Sequence, residues 1–159
     1  YPLPEAQMDR FFLRISIGYP TIEQEMDVLE RYSGQVKPMA TLTPVCSAQD
    51  IIDLQQMVTT IYCAPEVRAY VAQLAAATRQ DPALQLGAST RAAIALIHGA
   101  QACALLDGRD FTLPEDVQHM LLPVFSHRLL PNPEARMKGV TAEQVLMNIL
   151  QNVAVPLKV

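Results

Sequence analysis

The stretch Leu86-Gly87-Ala88-Ser89-Thr90-Arg91-Ala92-Ala93-Ile94-Ala95-Leu96-Ile97-His98-Gly99-Ala100-Gln101-Ala102-Cys103-Ala104-Leu105-Leu106 decides the fold. Ser89 is of the type whose side-chain oxygen satisfies the free amides of a first helical turn. The residues from Thr90 to about Leu106 are rich in Ala and apolar on nearly every side. Such a helix has no broad polar face to offer water and belongs at the centre of a bundle. Its uncharged window, Ala92 to Leu106, is fifteen residues long and contains His98, Gly99 and Gln101, too short and too polar to span a bilayer.

Working outward, amphipathic helices flank this one on both sides. Pro65 opens a helix whose inner face carries Val67, Tyr70, Val71 and Leu74. Thr112 with Glu115 reads as a capping box leading to Val117, Met120, Leu121 and Val124, with Pro123 kinking or shortening the helix. Thr141 with Gln144 starts the last helix, along which Val145, Leu146, Ile149, Leu150 and Val153 form a stripe before the extended tail Val155-Pro156-Leu157. Upstream, Ser47 with Asp50 begins a helix with Ile51, Leu54, Val58 and Ile61 on one side. Residues 33 to 46, with Gly34, Pro38 and Pro44, read as a linker. A Thr21–Gln24 box opens a helix from Ile22 to about Tyr32. Pro4 to Phe12 suits a short helix, and Phe11 to Ile17 alternates well enough to offer a strand instead. There is no internal repeat, and the body from about residue 47 is a helical bundle.

Composition narrows the function. The 159 residues are 50% hydrophobic and only 6% aromatic, a mixture that suits packed helices in one domain, or one domain plus a fragment of another. Twelve Lys and Arg are scattered singly and outnumbered by sixteen Asp and Glu, so no basic stripe exists to neutralise nucleic-acid phosphates. Cys46, Cys63 and Cys103 are odd in number, lack metal or redox spacing and sit in apolar stretches, as expected of buried, reduced thiols in a cytosolic protein. No signal peptide is present and the chain opens on Tyr1, which suggests a piece of a longer protein. The six glycines are never closer than nine residues apart. Both glycine-rich phosphate-binding turns need closely set glycines, so the chain has no phosphate loop of its own.

Side-chain chemistry does not assemble a complete enzyme site. His98, His119 and His127 lack paired-ligand spacing, and His98 on the buried helix reads as a core histidine rather than a metal ligand. Asp50 with Asp53, and Glu115 with Asp116, lie in first helical turns, where the macrodipole favours acids. Nine of the twelve basic residues are Arg, and two have informative settings. Arg91 falls in the first turn of the central helix, a poor place for a cation unless an anion comes there. A terminal phosphate would satisfy both the helix amides and the guanidinium fork, and a nearby carboxylate would serve as well. Arg10, beside Asp9 and before Phe11-Phe12, reads on its own as a surface residue of a short amphipathic helix.

At these residues the chain closely resembles the MoxR-type AAA+ ATPases. Tyr1-Pro2-Leu3-Pro4-Glu5-Ala6-Gln7-Met8-Asp9-Arg10-Phe11 and Ile17-Gly18-Tyr19-Pro20 are similar to the end of that family's ATPase core. Ala77-Thr78-Arg79, Leu86-Gly87-Ala88-Ser89-Thr90-Arg91-Ala92, Gly108-Arg109-Asp110-Phe111, Pro114-Glu115-Asp116-Val117 and His127-Arg128-Leu129 follow in the order and spacing of its helical lid. The motifs run over essentially the whole chain.

The resemblance implies a mostly α fold: a lid bundle of about five helices preceded by a short remnant of the αβα core. It divides the chain into 1–20 as the end of the core, 21–46 as helix and linker, and 47–159 as the lid. Arg91 occupies the position of the sensor 2 arginine, which reaches the phosphates of ATP held by the same subunit, although Thr90 stands where the family usually has Pro. Arg10 matches the arginine finger that projects into a neighbour's ATP site, with Arg14 close enough to share the role. Arg109 reads as structural. ATP and Mg are implied for the full-length protein and none for this segment alone, which is expected to be inactive. The family further implies a cytoplasmic, hexameric, chaperone-like ATPase that remodels partner complexes, often with a von Willebrand A-domain protein, and no nucleic acid or membrane. The competing reading is a non-enzymatic helical adaptor that binds a protein through an apolar groove.

Overall fold

The computed structural model describes residues 3–33 and 42–156. The linker expected over 33–46 lies largely outside them, at 34–41, as does Leu157 of the tail. In chain order the helices are α1 Glu5–Met8, α2 Ile22–Ser33, α3 Ala48–Val58, α4 Pro65–Gln80, α5 Thr90–Leu106, α6 Pro114–Phe125, α7 Pro133–Met137 and α8 Ala142–Asn152. Two short strands, β1 Leu84–Leu86 and β2 Leu130–Pro131, complete them. The larger of two compact units takes in residues up to Arg14 and from Gln55 onward, and the smaller is Ile15–Leu54.

The smaller unit contains α2 and the start of α3. The expected Thr21–Gln24 box opens α2, each residue's backbone N–H donating to the other's side chain at 3.0 and 3.3 Å. Ser47 and Asp50 make the equivalent reciprocal pair at 2.6 and 3.1 Å before α3. The apolar stripe expected on α3 is not a core face: Ile51 and Leu54 are exposed. The helix stops at Val58 because the hydroxyls of Thr59 and Thr60 bond back to the carbonyls of Gln56 and Met57. Ile61 therefore lies beyond the helix, where it is buried.

In the larger unit α4, α5, α6 and α8 enclose one core. Val67, Tyr70, Val71 and Leu74 of α4 face Ala92, Ala95, Leu96 and Ala100 of α5, Val117, Leu121 and Val124 of α6, and Val145, Leu146 and Ile149 of α8. Burying each Leu, Val or Phe side chain of this set contributes about 1.5–3 kcal/mol. The small residues of α5 let its neighbours come close. At Gly99 an added Cβ would stand 2.9 Å from the Met120 side chain of α6. Gln101, buried on the same helix, is satisfied by donating to the Ile61 carbonyl at 2.8 Å while its oxygen meets the His98 ring at 3.1 Å. His98 itself is exposed, not a core residue.

Two local readings are corrected at α6 and one at the thiols. Asp116, not Glu115, caps the helix, accepting from the Leu113 amide at 2.7 Å, so the start is one residue later than a Thr112–Glu115 box would put it. Thr112 is instead fully buried, its amide donating to the Tyr62 carbonyl at 2.9 Å. Pro123 lies inside α6, which runs on two residues to Phe125. Of the cysteines, Cys63 is buried and Cys103 half-buried, but Cys46 is exposed.

The antiparallel pair β1–β2, with Leu84 opposite Pro131 and Leu86 opposite Leu130, was not legible in the sequence. It ties the α4–α5 connection to the segment after α6. Asn132 reinforces it, donating from its amide to the Ala83 carbonyl and from its side chain to the Pro82 carbonyl, while its side-chain oxygen caps α7.

Candidate functional site

The site is built at the N-terminus of α5. Gly87 is required there by close approach: a Cβ would lie 2.7 Å from the backbone of Arg79. The connection is then clamped to the end of α4 from both sides. The Ala88 amide donates to the buried Thr78 hydroxyl at 2.9 Å, and Arg79 Nε donates to the Ala88 carbonyl at 2.7 Å. Ser89 follows in extended backbone, and its Oγ accepts from the Ala92 amide at 3.1 Å, the expected cap.

The hydroxyl proton of Ser89 goes to Asp9, whose two carboxylate oxygens lie 2.9 and 3.0 Å away. A carboxylate thus stands at the positive end of the α5 macrodipole, where the field favours an anion. Its cationic partner is Arg128, with Nε 3.2 Å from Asp9 Oδ1. Arg128 lies at the end of the 3₁₀ turn Ser126–Arg128 that follows α6, and its side chain is 2% exposed. Its guanidinium also donates to the carbonyls of Phe11, Phe12 and Val124. Burial pulls the guanidinium below its ordinary pKa, and the charge of Asp9 opposes that shift. His127 bonds through Nε2 to the Phe11 carbonyl at 3.2 Å, and the Arg14 amide donates to the Pro123 carbonyl at 2.8 Å. Every residue from Asp9 to Arg14 except Arg10 and Leu13 is therefore held by a hydrogen bond to Ser89, to the end of α6 or to the 3₁₀ turn after it.

The two arginines expected to act on phosphate are placed differently from these. Arg91 is exposed on the first turn of α5, and Arg10 is exposed just past α1. Neither side chain makes an ion pair or hydrogen bond among the described residues. Asp9 is close to both in sequence or space but is committed to Ser89 and Arg128, which leaves the Arg10 and Arg91 forks uncommitted. Arg109 is the opposite case. Its fork takes both oxygens of Asp116 at 2.8 and 2.7 Å and Asp107 at 2.9 Å, and these bonds raise its pKa. It is structural, as its place in a turn suggests.

Arg128 is the residue that sequence reasoning missed. Its signal was a lone Arg between Phe125 and the pair Leu129-Leu130, an apolar setting in which a charge needs a partner. No group of three or more His, Cys, Asp or Glu able to hold a metal ion occurs among the described residues. No described helix is long and apolar enough to cross a membrane.

Comparison with known proteins places this geometry. Residues 76–149 match the family model of the AAA lid domain. The chain is 40% identical over 158 residues to the protein named "Uncharacterized protein YeaC" of Bacillus subtilis, covering 99% of this chain and 49% of that protein. It is 34% identical over 165 residues to Chaperone MoxR1 of Mycobacterium tuberculosis, covering 98% of this chain and 43% of that protein. A crystal structure titled as a "putative ATPase" from Cytophaga hutchinsonii superposes with a TM-score of 0.90 at 31% identity, over 98% of this chain and 50% of that one. The chain spans about half the length of the curated relatives it matches. With the mostly helical bundle and the short extension before it, these matches show that residues 76–149 are an AAA lid domain and that nearly the whole chain aligns with a MoxR-named relative and a structural neighbour.

Proposed function

We propose that this chain is the nucleotide-responsive lid segment of a full-length AAA+ ATPase, in which Arg91 is the sensor 2 residue and Arg10 the arginine finger. The observation that carries the reading is the exposed, uncommitted Arg91 on the first turn of a helix whose cap and connection are rigidly held. Arg91 would bind the phosphates of ATP held by its own subunit through its planar fork, which pairs bidentately with phosphate oxygens. Arg10 would enter a neighbouring subunit's site in a ring, a hexamer in the family pattern, and stabilise charge on the transferring phosphoryl group. ATP and Mg are supplied with their holding residues by the rest of the ATPase. Residues 1–20 serve as the end of the core, 21–46 as helix and linker, and 47–159 as the lid. The cycle drives cytoplasmic, chaperone-like remodelling of partner complexes, with a von Willebrand A-domain protein as the expected class of partner.

The test is Arg91→Ala in the full-length ATPase. Loss of one preorganised donor to developing phosphate charge lowers turnover roughly a hundredfold. Turnover equal to that of the unaltered enzyme overturns the sensor role.

A further inference from the structure

We propose that Asp9 is a positioning residue that couples the finger arginine to the sensor arginine, holding Arg10 and Arg91 in one fixed register through its bonds to Ser89 and Arg128. The inference rests on the proposed roles of Arg10 and Arg91 but adds a residue, and a connection, that those roles do not require.

Covalent neighbours tie both arginines to this bond. Arg10 is the next residue after Asp9, and its amide closes a turn on the Gln7 carbonyl at 3.1 Å. Arg91 is two residues after Ser89. The Asp9 carboxylate receives the Ser89 hydroxyl with both oxygens, at 2.9 and 3.0 Å, so the start of α5 and the end of the α1 turn are joined by one side chain. Ser89 cannot turn away without giving up the bond its own oxygen accepts from Ala92. On the other side, Arg128 fixes both the carboxylate and the chain beyond it. It meets Asp9 Oδ1 at 3.2 Å and the Phe12 carbonyl at 3.2 Å, and it also donates to the Phe11 carbonyl. Arg10 thus projects from a peptide that is immobilised on each flank.

Asp9 touches neither arginine's side chain, so it acts through position alone. A shift of either segment moves the other, and a signal taken up by one phosphate-seeking fork is passed to the second without a change in the core. An arginine that must meet a transferring phosphoryl group loses most of its effect when displaced by about 1 Å.

The test is a double-mutant cycle in the full-length ATPase, with thermal melting recorded for each variant. Arg10→Lys and Arg91→Lys keep the charge, lose the fork and leave measurable turnover. Asp9→Ala is expected to lower kcat roughly tenfold to a hundredfold in the unaltered background. In the Arg10→Lys, Arg91→Lys double background it is expected to lower kcat less than twofold, because both forks it positions are already gone. Equal fold-losses in both backgrounds, or no loss from Asp9→Ala alone, overturn the coupling while leaving the two arginine roles intact. Unchanged turnover in Arg10→Lys and Arg91→Lys together with unchanged turnover in their Ala counterparts overturns those roles and the coupling with them. Should Asp9→Ala fail to fold, Ser89→Gly removes the hydroxyl with little loss of helix capping. The same cycle against the Arg10→Lys, Arg91→Lys double background then reads the coupling, by the same two criteria.

Discussion

Asp9 and Ser89 stand 80 residues apart in the chain, and the Ser89 hydroxyl donates to the Asp9 carboxylate with its oxygen 2.9 and 3.0 Å from the two carboxylate oxygens. The short segment before Arg14 is thereby part of the same compact unit as the helical bundle. Its security depends on Arg128, which is buried and serves the same carboxylate from the other side.

Replacing Arg128 with Met therefore tests the attachment. The variant keeps the apolar stem but removes the cationic partner of Asp9 and the donors to four backbone carbonyls, those of Asp9, Phe11, Phe12 and Val124. Because Asp9 retains some access to water, the cost falls at the lower end for a broken buried pair, about 3 kcal/mol. Urea denaturation of the chain should show it as a reduced midpoint. A midpoint within error of the parent would mean that the pair does not hold the segment.

The core makes a sharper contrast. Leu96 on α5 is fully buried, whereas Leu106 at the end of the same helix is 82% exposed. Leu96→Ala is expected to cost about 2–5 kcal/mol through lost burial and the cavity left behind. Leu106→Ala should stay within about 0.5 kcal/mol of the parent. Similar losses at both positions in thermal melts would contradict the placement of α5 at the bundle centre.

Stability should also depend on pH through His127. Burial lowers its pKa below the ordinary value, outweighing the bond to the Phe11 carbonyl, and the neighbouring Arg128 charge adds to the shift. A folded-state pKa below the unfolded one means that the unfolded chain binds the proton first. The contribution is complete above the unfolded histidine value of about 6.5 and is lost as pH falls through the folded value. Melting temperature should drop as pH is lowered from 7 toward 5, and His127→Gln should flatten that part of the curve. The same slope in the variant would assign the effect elsewhere.

The proposed finger role of Arg10 calls for a mixing experiment in the full-length protein. A ring of Arg10→Ala subunits is expected to lose turnover by about three orders of magnitude, the scale of a missing arginine finger. Mixed with subunits that lack only their phosphate loop, the same subunits should regain activity, since each supplies what the other needs. Mixed rings as inactive as the parents would remove Arg10 from the neighbour's site.

What the sequence disclosed follows from how far each signal reaches. Thr21 with Gln24, Ser89, and Thr141 with Gln144 announce helix starts because their bonds close within three residues. The faces of α4, α5 and α8 were legible for the same reason, periodicity being local. At α6 two acids stand side by side, and only the Arg109 clamp shows that Asp116, not Glu115, turns toward the Leu113 amide. The β1–β2 pair escaped because three residues facing two from 44 to 47 positions away (Leu86 to Leu130, Leu84 to Pro131) leave no alternation to read. Ile51 and Leu54 misled in the other direction, since a stripe shows that a face is apolar but not that a partner covers it. In the candidate site, Arg10 and Arg91 were singled out by their settings and by the resemblance of the surrounding motifs to a known family. The bonds that join Asp9, Ser89 and Arg128 are a long-range arrangement that no window of sequence contains.

The anchoring of α5 at both ends has a mechanical consequence. Its 17 residues span about 25 Å. The near end is pinned by Thr78, Arg79 and Asp9, and the far end runs into the turn that Arg109 staples to Asp116 at the head of α6. A helix fixed in this way is a strut, unable to slide along its axis or twist on its own. A sideways push at Arg91 is met by α4 through Thr78 and Arg79 at one end and by the head of α6 at the other, so the load on α5 is shared by both neighbours.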